Sequence, residues 1–408
     1  VTHVLELFAA LPTRFAPVGI YEFCMGLREI GRERQTKAYA SFEKLLRRFE
    51  DRSWYPDLPD DTRVLYVTGA HFARGAFATM QADGRAALAS ADALEASGLK
   101  MYAMIASQLR FLYHTNRGEL AEAAAHREQV ELHAAHVGSA WQVETWEGPA
   151  LIPIASKLRD VDTLARITDR LRLLSRTIPS LRFYRRLSEQ AFARARGAYE
   201  QVEQTTLRLI ASRQPRDYIG WAASIGIACR AANESGDHAQ AKALCEDALR
   251  HIDDDDREYV TLFLDLDIEM ANAQAGLGET EAALARLEML IERFRATEHP
   301  LALGSLHEAR ARIAWKAGRV ADYAYSLTQV EHWFRRTGTP ALVAKCERLA
   351  ALRDERVQLP GSGPSLGDGG DAVTQVREHV GVTASAASVD REAATIMAPA
   401  RKTRPPLS

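Results

Sequence analysis

Residues 276–294 read GLGETEAALARLEMLIERF, and this stretch decides the fold. A turn at Gly278 is followed by apolar residues at Ala283, Leu287, Leu290, Ile291 and Phe294, the spacing that lines one face of an α-helix. The same arrangement recurs outward along the chain in NRGELAEA at Gly118, ARGAYEQV at Gly197, ESGDHAQA at Gly236 and KAGRVADY at Gly318, with a degenerate copy, KLRDVDTL, at Arg159. The steps between these turns are 41, 38, 39, 42 and 40 residues. Two further copies are expected upstream, at Gly75 and Gly31, which makes eight units. Twelve residues after each turn the side chain is apolar, at Ala87, Val130, Leu171, Leu209, Ala248, Leu290 and Val330; Glu43 breaks the rule in the first unit.

Each unit therefore reads as a helix, a tight turn and a second helix. Glycine suits the turn because ending a helix with positive φ costs a residue bearing a Cβ about 1 kcal/mol. Alanines five residues after their turns, Ala123, Ala241 and Ala283, allow close approach of neighbouring helices. A single pair cannot bury its apolar face alone, so the pairs must stack. Proline and glycine are scarce between about residue 60 and 357 and no β-branched runs of strand type occur, which also predicts an all-helical chain. The expected architecture is a right-handed α-solenoid of about eight helix-turn-helix repeats. Its parts are an irregular helical segment with a degenerate first repeat over 1–60, the array over 61–338, a capping helix over 339–357 and a disordered tail over 358–408.

Length and charge narrow the function classes. The chain has 408 residues, 47% of them hydrophobic and 26% charged, which is globular composition. A formal net charge of -2 provides no global basic excess for nucleic acid or an anionic membrane, and neither partner is expected. No apolar run approaches the ~20 residues that span a bilayer, and the N-terminus lacks the basic region of a signal peptide. Cys24, Cys229, Cys245 and Cys346 form no Cys-x-x-Cys pair and read as reduced thiols of a cytoplasmic protein. The chain opens on Val1 rather than Met, which fits either an alternative start codon read literally or, as the favoured reading, a piece cut from something longer.

The glycine-turn repeats, together with GLKMYAMIASQLRFLYHTNRGEL (98–120) and GSAWQVETWEGPAL (138–151), resemble the tetratricopeptide-like helical repeats of large bacterial signalling proteins, in which such an array is joined to a kinase or a regulatory ATPase. The resemblance covers roughly residues 20–357. It departs from the standard pattern in its period of about 40 rather than 34 residues and in losing the Trp, Leu, Gly, Tyr spacing of the first helix. It implies a non-catalytic protein-protein interaction scaffold or sensory arm. The alternative is the C-terminal regulatory portion of a serine/threonine kinase or signalling ATPase whose catalytic domain lies outside this chain.

Motifs of catalysis are weak. No phosphate loop, H-R-D or D-F-G is present, so no ATP chemistry is expected. The G-x-S-x-G match at 363–367 falls in the low-complexity tail, without the strand and helix that its chemistry requires. His126, His133 and His136 share one helix but lack a fourth ligand, and Asp253–Asp256 lacks the central glycine of a calcium loop and reads as acidic residues at a helix start. No metal or cofactor is expected, and the residues name no small-molecule effector. Residues 166–196 hold nine arginines against two acids; they read first as a solvated face or as partners of neighbouring acids, and otherwise as a receiver of an acidic peptide or a nucleic-acid backbone. The partner surface is assigned to first helices, with Arg110, Tyr113, Trp141, Glu144, Arg185, Arg186 and Trp221 as its candidates; the tryptophans read equally as core.

Overall fold

A computed structural model describes residues 25–357, apart from 27, 30, 31, 52–58, 139, 213 and 217–219. Its contacts divide the chain into Val1–Gln358 and Leu359–Ser408, and the second unit, with its G-x-S-x-G match, lies outside the described residues. Among the described residues there are helices and no strands. They are α1 Gln35–Glu50, α2 Asp60–Met80, α3 Gly84–Ala96, α4 Lys100–Arg117, α5 Leu120–Val137, α6 Ala140–Leu158, α7 Val161–Leu174, α8 Arg182–Ala195, α9 Tyr199–Ser212, α10 Trp221–Ser235, α11 His238–Arg250, α12 Val260–Gly276, α13 Thr280–Phe294, α14 Pro300–Lys316, α15 Val320–Arg335 and α16 Pro340–Val357. Helices adjacent in sequence pack as pairs, α4 on α5 and α14 on α15 most extensively.

One backbone device builds every pair. Eight residues, Glu33, Ala82, Gly118, Arg159, Gly197, Gly236, Gly278 and Gly318, have φ between 51° and 89°. After each, the next N–H donates to a carbonyl five residues back: Arg34 to Glu29 at 3.0 Å, Asp83 to Ala78 at 2.8 Å, Asp160 to Ala155 at 3.0 Å, Glu279 to Gln274 at 2.8 Å, and likewise for the other four. This closure satisfies carbonyls that the end of a helix leaves bare. At three turns an aspartate follows and caps the second helix; Asp83, Asp160 and Asp237 accept from Ala86, Thr163 and Gln240 at 2.9 to 3.0 Å.

The two upstream turns are not where the glycines predicted them. Gly75 lies inside α2, and the turn is at Ala82. A Cβ on Gly75 would stand 2.6 Å from Leu109 Cδ1 and 3.0 Å from Ser90 Cβ, so this glycine admits two neighbouring helices rather than reversing the chain. Gly31 lies outside the described residues, and the first turn is at Glu33. With both turns moved, the residues twelve positions on become Leu45 and Leu94, and Glu43 is no longer an exception. All eight residues of that row, from Leu45 to Val330, are buried, as are all eight at the fifth position: Ala38, Ala87, Ala123, Leu164, Val202, Ala241, Ala283 and Tyr323.

Pairs far apart in sequence are also tied together. Ala38, Phe42, Leu45 and Phe77 share a core with Trp221, Ile225, Tyr259 and Phe263. Ile154 packs with Leu301, Tyr323 and Leu342. The acidic run belongs to this closure. Asp256 is buried, pairs with Arg216 and accepts the Thr36 N–H at 2.9 Å, and α12 begins only at Val260. The expected helix start near Arg257 is thus corrected to Val260, and the Asp256 carboxylate joins two distant segments instead. The Thr339 hydroxyl likewise donates to the Gly118 carbonyl at 2.6 Å.

Candidate functional site

First helices of successive pairs are covered on most sides, so a polar residue within one marks something other than solvent. In α12 the polar set Asp265, Glu269 and Asn272 follows a helical stripe through a helix otherwise buried nearly all round. In α14 the set is Ser305, Glu308 and Arg312. Arg230, Asn272 and Arg312 each stand six residues before their turn glycine. These stripes face one cleft of about 920 Å³, walled by α6, α8, α10, α12 and α14 with α16 closing one end. A smaller depression of about 550 Å³ on α1 and Asp51 is made by one helix beside residues 52–58, which are not described.

The cleft is lined by eight Lys and Arg side chains against four carboxylates. Each carboxylate has more than one donor, and most of the bonds cross between helices. Asp265 accepts Lys157 at 2.8 Å and Arg230 at 3.2 Å. Glu269 accepts Arg230 at 2.5 Å, Asn233 at 3.1 Å and Asn272 at 3.2 Å. Glu234 accepts Arg159 at 2.6 Å and Arg194 at 2.8 Å. Glu308 accepts Lys345 at 2.9 Å and Arg312 at 3.0 Å.

The titration behaviour follows from this wiring. Burial alone pushes a carboxyl up, but the Lys157 and Arg230 charges hold Asp265 well below the usual carboxylate range. Lys345 and Arg312 outweigh the burial of Glu308 and bring it down to about 2. Arg194 is lowered to about 10 by burial and by the neighbouring Arg230 charge. Burial lowers Lys345 despite its pairing with Glu308. Two lining groups remain unsatisfied: Ser305 Oγ and Arg194 Nε are buried without a hydrogen-bond partner. Lys316 and Arg348 form no ion pair with any described residue.

The residues singled out from sequence are not gathered here. Arg110 is bound to Asp92 at 2.8 Å and Glu95 at 2.7 Å. Tyr113 lies near Gly84 and under the Arg117 guanidinium. Trp221 is only 2% exposed, in the core beside His251, and is not presented to a partner. Arg186 is exposed on α8 and Arg185 is half-buried. The Trp141 and Glu144 side chains lie outside what is described. Of the nine arginines in 166–196, Arg194 alone lines the cleft. His126 stacks on His114 and His136 bonds to the Leu132 carbonyl; no grouping of three metal-capable side chains occurs among the described residues. None of the described helices is long and apolar enough to cross a membrane.

The arrangement presents oriented hydrogen-bond donors and ion pairs that cross between helices. No protein-family model and no curated protein matches this chain.

Proposed function

We propose that this chain is a non-catalytic α-solenoid that holds a protein segment in its cleft, as the scaffold or sensory arm of a bacterial signalling system. The observation that supports this most is the composition of the wall: five first helices and α16 each contribute, so the surface exists only when the pairs stack. A right-handed superhelical path in which one pair meets the pair five units on accounts for the bonds from Glu33 to the start of α10. Binding surfaces on repeat arrays are commonly the faces made by one helix of each repeat. The partner would be met at Lys316 and Arg348 along the cleft and at the exposed Arg186.

The test is a photo-reactive residue placed in turn at Lys316, Arg348 and Arg186 in cells, with the exposed Met289 on α13 as the control position. The expected result is one cross-linked protein shared by the first three positions and absent at Met289. Cross-linking at none of the three positions, in protein that melts normally, overturns the reading.

A further inference from the structure

The cleft is not uniform, and one corner of it is chemically incomplete. Arg312 and Lys316 lie one helical turn apart on α14, and Lys345 and Arg348 one turn apart on α16. Of the four carboxylates that line the cleft, only Glu308 is bonded to any of these four cations. Glu308 is already bound to Arg312 and Lys345, and its third oxygen contact repeats Arg312 through Nε at 3.3 Å. Lys316 and Arg348 are left over, with no ion-pair partner among the described residues.

We propose that this corner is a receptor site for a small phosphate-rich polyanion, of the size of inorganic tripolyphosphate or a nucleoside triphosphate. The inference rests on the sensory reading of the cleft. Three features select this chemistry. The lining charges without ion-pair partners, Lys316 and Arg348, are cations, whereas every lining carboxylate is already multiply bonded, so the uncompensated charge favours an anion. Arg and Lys gathered in a walled cleft raise the local potential and concentrate anions there. Arginine matches phosphate with two parallel N–H bonds, and Arg348 on α16 has that fork free while Lys316 on α14 adds a point charge, so a polyphosphate would engage both helices. The cleft also has room: about 920 Å³ lies in the range of pockets that enclose a compact organic ligand. Two charge networks line the cleft, one joining α6, α10 and α12 and the other joining α14 and α16, and the anion would bind beside the second.

The experiment is calorimetric titration of the full chain with sodium tripolyphosphate, a nucleoside triphosphate without magnesium, and a phosphoserine peptide. Saturable binding of tripolyphosphate is expected, weakened at least about tenfold in Lys316→Glu with Arg348→Glu and unchanged in Arg47→Glu on the exposed face of α1. Because Lys316 and Arg348 are exposed, Lys316→Ala with Arg348→Ala keeps the fold and should still weaken binding several-fold. Equal affinity for the two small anions assigns recognition to the phosphates, and tighter binding of the nucleotide assigns the rest of the cleft to its base and sugar; both support the site. Absence of saturable tripolyphosphate binding, or binding that the double variants leave intact, overturns it. Binding of the phosphopeptide alone also overturns it while leaving the protein-segment reading in place. Tripolyphosphate binding without any protein cross-link removes the scaffold reading instead.

Discussion

The Glu33 carboxylate accepts the backbone N–H of Ala222 at 3.0 Å, and its other oxygen accepts that of Gly220, across 189 and 187 residues of chain. The first turn of the array is thereby fixed to the start of α10. Burial raises this carboxyl to about 7 although the Gly220 and Ala222 amides and Arg216 favour its charged form; Tyr184, itself pushed up to about 12, also faces it. The folded state therefore takes up a proton at a pH where the unfolded chain has released it.

A pH-dependent stability follows. The cost of the buried charge is absent below about 4.5 and complete above about 7, so stability contributed here falls as pH rises through that window. Buried His299 and His307, lowered to about 3 and about 4, act in the opposite sense below about 6.5, so the reading is a difference: between pH 5 and pH 8 the melting temperature of the native chain should fall relative to that of Glu33→Gln. Parallel curves for the two proteins would contradict the assignment.

Glu308 gives the opposite sign. Its carboxyl is brought down to about 2, so its pairing with Lys345 and Arg312 is fully present above about 4.5 and is lost as pH falls toward 2. Glu308→Gln leaves the buried Lys345 amine with no carboxylate and should cost ~3 to 5 kcal/mol at pH 7, read by urea unfolding. The variant should also lose less stability than the native chain between pH 5 and pH 3.

Two neighbours on α13 separate core from surface. Leu290 is 3% exposed and Met289 is 60% exposed. Leu290→Ala should cost ~2 to 5 kcal/mol, and Met289→Ala should stay within about 0.5 kcal/mol. Similar unfolding midpoints for the two would mean that the helix is rotated.

Gly278 and Gly75 should both resist alanine, for different reasons. Gly278 has φ +85°, and a methyl carbon added to it would meet nothing within 4 Å, so Gly278→Ala isolates the backbone penalty of about 1 kcal/mol. Gly75 is helical, where alanine is intrinsically favoured, but the added carbon meets Leu109, whose side chain is enclosed. Overpacking of ~1 to 3 kcal/mol should outweigh the gain in helix propensity. A stabilised Gly75→Ala protein would show that α2 and α4 can separate.

The helical pairs and their beat are legible in the sequence because a repeated turn leaves a repeated residue. Where Gly fills the positive-φ position, at Gly118, Gly197, Gly236, Gly278 and Gly318, the turn is where the sequence puts it. Ala82 and Glu33 adopt the same backbone without the residue that advertises it, so nearby Gly75 and Gly31 draw the assignment away. Arg159 is found only because the period points there. The cleft is harder to see. Its marker is a polar stripe such as Asp265, Glu269 and Asn272 inside an otherwise apolar helix, and that pattern reads as ordinary amphipathicity until burial is known. The tryptophan and arginine cues favour conspicuous side chains, and Trp221 serves the core instead.

The ties from Glu33 to Gly220 and from Gly118 to Thr339 bear on how such a chain can evolve. A stack held by neighbours alone can lengthen or shorten by one unit, since each addition only copies the last junction. Here the loss of any pair between residues 33 and 220 would carry the amides of α10 out of reach of Glu33 and strand a buried carboxylate. The number of pairs in this chain is therefore fixed by the reach of one carboxylate, and inserting or deleting a pair between those residues should unfold the junction rather than lengthen the stack.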